Sequence, residues 1–204
     1  MTVRLHRGDL PPGLDFGASV AVDTETLGLN PHRDRLCVVQ LSRGDGSAEV
    51  VQILRDGPPP ENLIRLLGDA NVLKIFHFAR FDLAVLFHRL GVTPAPVYCT
   101  KIASKLTRTY TDRHGLKDLL RELLSVDISK QQQSSDWGAD TLSDAQVAYA
   151  ASDVLHLHAL KTKLDVSLAR EGRTDIAAAC FTFLPTRARL DLMGWNEVDI
   201  FAHS

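Results

Sequence analysis

An α/β domain is what the sequence predicts, on two observations. Early β-branched runs are joined by short turns, and strand-like and helix-like stretches then alternate along the chain. Ser19-Val20-Ala21-Val22-Asp23 follows the breaker Leu10-Pro11-Pro12-Gly13 and reads as a first strand ending near Asp23. After the turn from Gly28 to Asp34, Leu36 to Leu41 reads as a second strand. Gly44-Asp45-Gly46 reads as a hairpin turn and Ala48 to Ile53 as a third strand, so the three form a meander. Pro58-Pro59-Pro60 closes this unit, and Leu63, Ile64 and Leu67 have helical spacing within Glu61 to Leu67. Val72 to Phe76 predicts a short strand. Arg80 to Leu90 predicts an amphipathic helix with Phe81, Val85 and Leu86 inward and Gly91 as its C-cap; Val97 to Cys99 is a last strand. Thr100 to Leu106 and Leu116 to Leu124 read as further helices. Lys130 to Gly138 is polar loop, and one long helix is expected from a Ser143 cap to about Arg170, ended by Gly172. A final helical stretch starts at Thr174 and meets Pro185, which predicts a kink or restart. With no repeats and no long linker, the expectation is one domain over residues 1–204, with a core at about 18–165 and a helical tail over 174–204.

Composition narrows the class. Of 204 residues 45% are hydrophobic, with 23 Lys+Arg against 25 Asp+Glu. That share buries a sizeable core and argues against disorder or a disulfide mini-protein. No apolar run approaches the roughly 18 residues that cross a bilayer. The first nine residues lack the apolar stretch of a signal peptide, so a soluble, cytoplasmic protein with no membrane partner is expected. Cys37, Cys99 and Cys180 are widely spaced and odd in number, which points to small buried hydrophobes rather than a disulfide frame or zinc site. A net charge of −2 argues against a broad basic surface gripping long nucleic acid, and leaves room for a local site for a short one.

Four acidic positions stand where carboxylates are costly. Asp23 and Glu25 end the apolar strand one residue apart, so both side chains point to one face. Side by side near a core they repel, which raises a pKa unless a cation compensates. A hard divalent ion bound through oxygen suits that need, Mg²⁺ in particular; the alternative is a turn carrying two solvated acids. Asp82 lies in the first turn of a helix, where an acid also simply complements the dipole. Tyr149 and Asp153 lie four apart on one helix face among alanines, either for close approach to a site or as an ordinary hydroxyl–carboxylate pair.

The order and spacing of these elements carry a resemblance. Asp23-Thr24-Glu25-Thr26-x-Gly28-Leu29-x-Pro31, His77-x-x-x-Phe81-Asp82 and Tyr149-x-x-x-Asp153 resemble the three exonuclease motifs of the DEDD superfamily, ribonuclease D type. Tyr149 marks the DEDDy branch; the sister branch needs a histidine where this chain has Ala148. His114-Gly115-Leu116-Lys117-x-Leu119 and Lys130-x-x-Gln133-x-Ser135-Asp136-Trp137 extend the resemblance over about residues 18 to 165. It implies a ribonuclease H-like (DnaQ-like) fold, a mixed sheet flanked by helices, and a two-metal 3′-5′ exonuclease using Mg²⁺ or Mn²⁺. By motif position Asp23, Glu25 and Asp153 would hold one ion and Asp23 and Asp82 the other. Two such ions can clamp the attacking and departing oxygens of an in-line displacement. Tyr149 would orient the attacking water; with an ordinary tyrosine pKa near 10 it is a positioner before it is a base.

Ribonuclease D proper carries helical RNA-binding domains after its catalytic core, and this chain reaches residue 204 without room for them, so short single-stranded RNA is the expected substrate. Compact length, Asp23 to His32 and Pro185 to Trp195 resemble the short single-domain nanoRNase C group. That likeness implies hydrolysis of dinucleotides to 5′-monophosphates by a ring-like homo-oligomer. Phe181, Phe183, Leu184, Trp195 and Phe201 offer apolar surface consistent with it. Candidate substrate contacts are Leu27, which would wedge against the terminal base, and His77, with Lys130, Ser135 and Trp137 behind them. Lys101, Lys105, Arg108, Arg113, Lys117 and Arg121 are either a phosphate-receiving stretch or a solvated helix face. Rival readings are a general exonuclease on longer RNA or single-stranded DNA, and a non-catalytic nucleic-acid binding module. A haloacid-dehalogenase phosphatase would need Asp at position 25, and no G-x-G-x-x-G follows the first strand to suggest a dinucleotide-binding Rossmann fold.

Overall fold

The centre of the molecule follows from Leu36–Ser42 (β3), a strand whose seven residues are all buried. A strand covered on both faces lies inside a sheet with helices on either side. A computed structural model, which describes residues 2–129 and 131–203, has that arrangement. Thr2–Arg7 (β1), Ser19–Thr26 (β2), Ser47–Gln52 (β4), Leu73–Phe76 (β5) and Val97–Cys99 (β6) join β3 in one sheet of order β1-β4-β3-β2-β5-β6. β2, β3 and β4 pair antiparallel as the expected meander. The pairs β1 with β4, β2 with β5 and β5 with β6 are parallel, so the sheet is mixed.

Helices Glu61–Gly68 (α1), Ala79–Leu90 (α2), Thr100–Thr107 (α3), Leu116–Leu124 (α4), Asp144–Leu155 (α5), Leu157–Arg170 (α6) and Thr174–Leu190 (α7) flank it. α5 lies across β1, β4, β3 and β2, while α2 packs on β3, β5 and β6 and is itself covered by α7. α5 begins in a capping box: Ser143 Oγ accepts from the Gln146 N–H at 3.2 Å, and Gln146 Oε1 accepts from the Ser143 N–H at 3.0 Å. α2 ends at Gly91 in the left-handed region (φ 68°), the C-cap its position predicts.

Several expectations need correction. The first strand of the meander runs on to Thr26, and it is preceded by β1, which sequence reading does not find. What fixes β1 is a distant partner: Arg4 Nη1 donates to Glu49 Oε1 at 2.6 Å, and His6 Nε2 lies 2.7 Å from Glu49 Oε2. The single long helix after Ser143 is two, α5 and α6, broken at His156 (φ −108°, ψ −1°). α7 continues through Pro185. Phe181 and Leu184 belong to the core, leaving Phe183, Trp195 and Phe201 exposed; Cys37 and Cys99 are buried and Cys180 partly so. No helix is long and apolar enough to cross a membrane among the described residues.

One buried cation shapes β5. Lys74 is fully buried, and its Nζ donates to the carbonyls of Asp69, Val72 and Ala95 at 2.6, 2.8 and 2.7 Å. Burial lowers its pKa to about 8.

Candidate metal centre

The pleat of β2 sends Asp23 and Glu25 to one face and Thr24 to the other. α5 lies across β2 and supplies Asp153. One oxygen each from Asp23, Glu25 and Asp153 lies within 4.8 Å of the other two. From the other face, Thr24 Oγ1 donates to Asp82 Oδ1 at 2.7 Å and holds that buried carboxylate at the start of α2. Alternation along three residues of one strand thus gathers acids from both helical layers.

Burial raises the pKa of Asp23, Glu25 and Asp82, and neighbouring carboxylates add to the rise at the first two. Asp23 is held well above the carboxylate range, first by burial and then by the charges of Asp82, Asp153 and Glu25. Glu25 is pushed up to about 8 by burial and by Asp153 and Asp82. Asp82 rises to about 7 through burial, against the Thr24 hydroxyl bond that favours its charged form. Tyr149 is raised above its ordinary value by burial and then by Asp153, Glu25 and Asp23, so its hydroxyl keeps its proton at neutral pH. An all-oxygen donor set under mutual repulsion fits a hard divalent cation and no soft one.

Two supports of the site escape sequence reading. Gln40 sits opposite Asp23 in register, and its Nε2 donates to Asp23 Oδ2 at 2.7 Å. Its Oε1 is buried without a hydrogen-bond partner. The signal was available: Gln40 interrupts the apolar run Cys37-Val38-Val39-Gln40-Leu41 in a fully buried strand. Thr24, inside the first motif, is the other.

The remaining candidates are spread around the centre. Trp137 is buried and packs on Tyr149, with ring centroids 6.0 Å apart. Ser135 Oγ accepts from Gln146 Nε2 at 3.2 Å, which ties the approaching loop to the start of α5. Leu27 is 54% exposed and lies over Gly138, where a Cβ would come within 2.7 Å of Leu27 Cδ2. His77 is anchored through Nδ1 to Thr100 Oγ1 at 2.9 Å. Phe78, which follows it, adopts the left-handed region (φ 68°) without being glycine. Lys130 lies outside the described residues. Of the basic stretch, Arg108 is buried and occupied by Glu122, Ser104 and the Arg113 carbonyl, so it is structural. Lys101 stands over the Phe78 ring, 4.3 Å from its centroid.

Residues 13–169 match the 3′-5′ exonuclease family. The chain is 38% identical over 160 residues to ribonuclease D of Gluconacetobacter diazotrophicus, covering 78% of this chain and 40% of that one. It thus spans about 40% of the length of the ribonuclease D relatives it matches. Among solved structures, Brucella melitensis NrnC bound to pGG is 66% identical with a TM-score of 0.96, and the same protein with bound Mg²⁺ is 64% identical with a TM-score of 0.95. Both comparisons cover 100% of either chain. Since the family match runs from before Asp23 to beyond Asp153 and takes in all four carboxylates, the chain belongs to the 3′-5′ exonuclease family, among the ribonuclease D-like proteins that include NrnC.

Proposed function

We propose that the chain is a divalent-metal-dependent 3′-5′ exoribonuclease acting in the cytoplasm on short RNA, dinucleotides above all, and releasing nucleoside 5′-monophosphates. The observation that carries this reading is the convergence of Asp23, Glu25 and Asp153 within 4.8 Å, with the Asp82 carboxylate adding its charge to Asp23 from α2. The preference for short RNA is supported by the end-to-end likeness to NrnC bound to pGG. Assembly as a homo-oligomer, a ring in our reading, is supported by exposed Phe183, Trp195 and Phe201.

Asp23, Glu25, Asp153 and Asp82 would hold the metal, as two ions of Mg²⁺ or Mn²⁺. Bound there, the ions supply the positive charge that offsets the carboxylates and the scissile phosphate and makes water a competent nucleophile at neutral pH. The chain's own residues do the rest. Tyr149, kept protonated and hydrogen-bonded to Asp153, would offer its hydroxyl oxygen to the attacking water and fix its line of approach. Gln40 holds one oxygen of Asp23 and so orients the other. Leu27 presents an exposed apolar side chain to the terminal base, with His77, Ser135 and Lys130 as further substrate contacts. In the reaction the water oxygen joins phosphorus, the bond from phosphorus to the 3′ oxygen breaks, and that oxygen leaves with a proton as a 3′-hydroxyl.

A time course on 5′-labelled RNAs of two, three, five and ten nucleotides, with Mg²⁺ and with EDTA, tests the proposal. Dinucleotide consumed far faster than the rest is the expected result. Stepwise shortening of all lengths at similar rates would instead assign a general exonuclease, and hydrolysis indifferent to EDTA would refute the metal site.

A further inference from the structure

The segment Pro185 to Trp195 is not used by the chemistry above, yet it is tied to the start of α2 by several polar contacts. Arg80, two residues before Asp82, donates Nε and Nη2 to the two oxygens of Asp191, the second at 2.8 Å, and Nη2 also reaches the Asn196 carbonyl at 2.7 Å. Arg187 approaches Asp191 from α7, Nε at 3.0 Å and Nη2 at 2.7 Å, and also donates to the carbonyls of Trp195 and Val198. Asp191 is therefore the hub where the wide turn Asp191–Trp195 is fastened to α2. Fork-to-carboxylate pairs of this kind fix orientation as well as distance.

The position being held is a strained one. α2 opens on Phe78 in the left-handed region, with no side-chain cap. A non-glycine residue persists there only when its surroundings over-determine it. The Arg80–Asp191 pair supplies such a constraint within the same helical turn that carries Asp82. The two elements also enclose a cleft of about 560 Å³ together with Leu29, Pro31 and Phe81.

We propose that Asp191 is a positioning residue of the metal centre: through Arg80 it fixes the first turn of α2, and with it Asp82, so that the segment after α7 sets the affinity of the site for a divalent cation. This rests on the reading of Asp82 as a metal ligand. The test is calorimetric titration of the full chain with Mn²⁺ alone, paired with amide hydrogen exchange. Asp191→Asn should raise the Mn²⁺ dissociation constant about tenfold, the scale of losing a hydrogen-bonded support. It should also speed exchange of the amides at 79–83 while leaving those of β2 unchanged. Arg80→Lys, which keeps the charge but loses the fork, serves as the second variant should Asp191→Asn fail to fold. Glu49→Gln, which breaks the ion cluster joining β1 to β4, is the control: it should lower Tm and leave Mn²⁺ affinity as it was. Asp191→Asn with lowered Tm, unchanged Mn²⁺ affinity and unchanged exchange at 79–83 would overturn the proposal. A wild-type chain that binds no Mn²⁺ would instead sink the metal reading itself, and the exchange experiment would still decide whether Asp191 restrains α2.

Discussion

Lys74 on β5 and the acids on and above β2 are ionisable groups drawn into the same sheet, and their surroundings differ in kind. Three carbonyls meet the ammonium of Lys74 within 2.8 Å, so its donors are matched inside the fold. Asp23, Glu25 and Asp153 meet one another, and the neutral Gln40 amide offsets little of their charge. A buried charge completed by the backbone is structural, whereas a cluster left repelling itself fits a cation from outside. Burial alone does not mark a functional site; what marks it is burial whose cost the protein itself does not offset.

Four experiments break or sharpen that contrast. The largest effect is expected from Asp153→Ala: dinucleotide hydrolysis should fall by about three orders of magnitude or more, the scale seen when one member of a catalytic unit is removed. Tm of the metal-free protein should rise in the same variant, because repulsion is relieved. Loss of activity with a lowered metal-free Tm would mean that Asp153 stabilises the fold and would blur the distinction from Lys74. Next, Tyr149→Phe should cut kcat about a hundredfold with KM within about threefold, as expected of a hydroxyl that orients the nucleophile. A change confined to KM would make Tyr149 a binding residue.

The third experiment is a stability profile against pH. Asp23, Glu25 and Asp82 have raised folded-state pKa values, so their contribution is favourable below the ordinary carboxylate range near 4 and is lost as pH rises through about 7 to 8. Metal-free Tm should therefore fall between pH 5 and 8, and Mg²⁺ at about a hundred times its dissociation constant should restore about 2.7 kcal/mol at the upper end. Lys74 has the opposite sign: its folded-state pKa of about 8 lies below the ordinary value of 10.5, so its contribution grows as pH rises from about 8 to 10.5. The smallest effect is Lys74→Met, which leaves three carbonyls short of a donor, costs about 2 kcal/mol of stability and flattens the alkaline slope. Mg²⁺ affinity should stay put; a weakened metal site would show that the two regions are coupled.

Much of this was legible in residue order. The meander, the βα alternation, the Gly91 cap and the Ser143 capping box follow from patterns confined to a few neighbouring residues. The carboxylates were legible because an apolar strand ending in two acids conflicts with its own surroundings, and the spacing of three such conflicts resembled a known family. Harder to read were features whose cause lies far along the chain. β1 is an ordinary polar-apolar alternation until Glu49 meets Arg4 and His6. The break at His156 carries no proline or glycine to announce it, and Pro185 announces one that does not occur. Gln40 was visible as a polar residue in a buried strand, but its bond to Asp23 depends on strand register.

The alternation of Asp23, Thr24 and Glu25 has a consequence for how the molecule opens. Because one strand reaches α5 with its odd residues and α2 with its even one, the acids stay together only while both helical layers remain seated. Local opening of either layer disperses the cluster, so in the cation-loaded protein partial openings become as costly as global unfolding. Loading should then merge separate exchange classes of α2 and α5 amides into one, turning two independently fraying layers into a single cooperative unit.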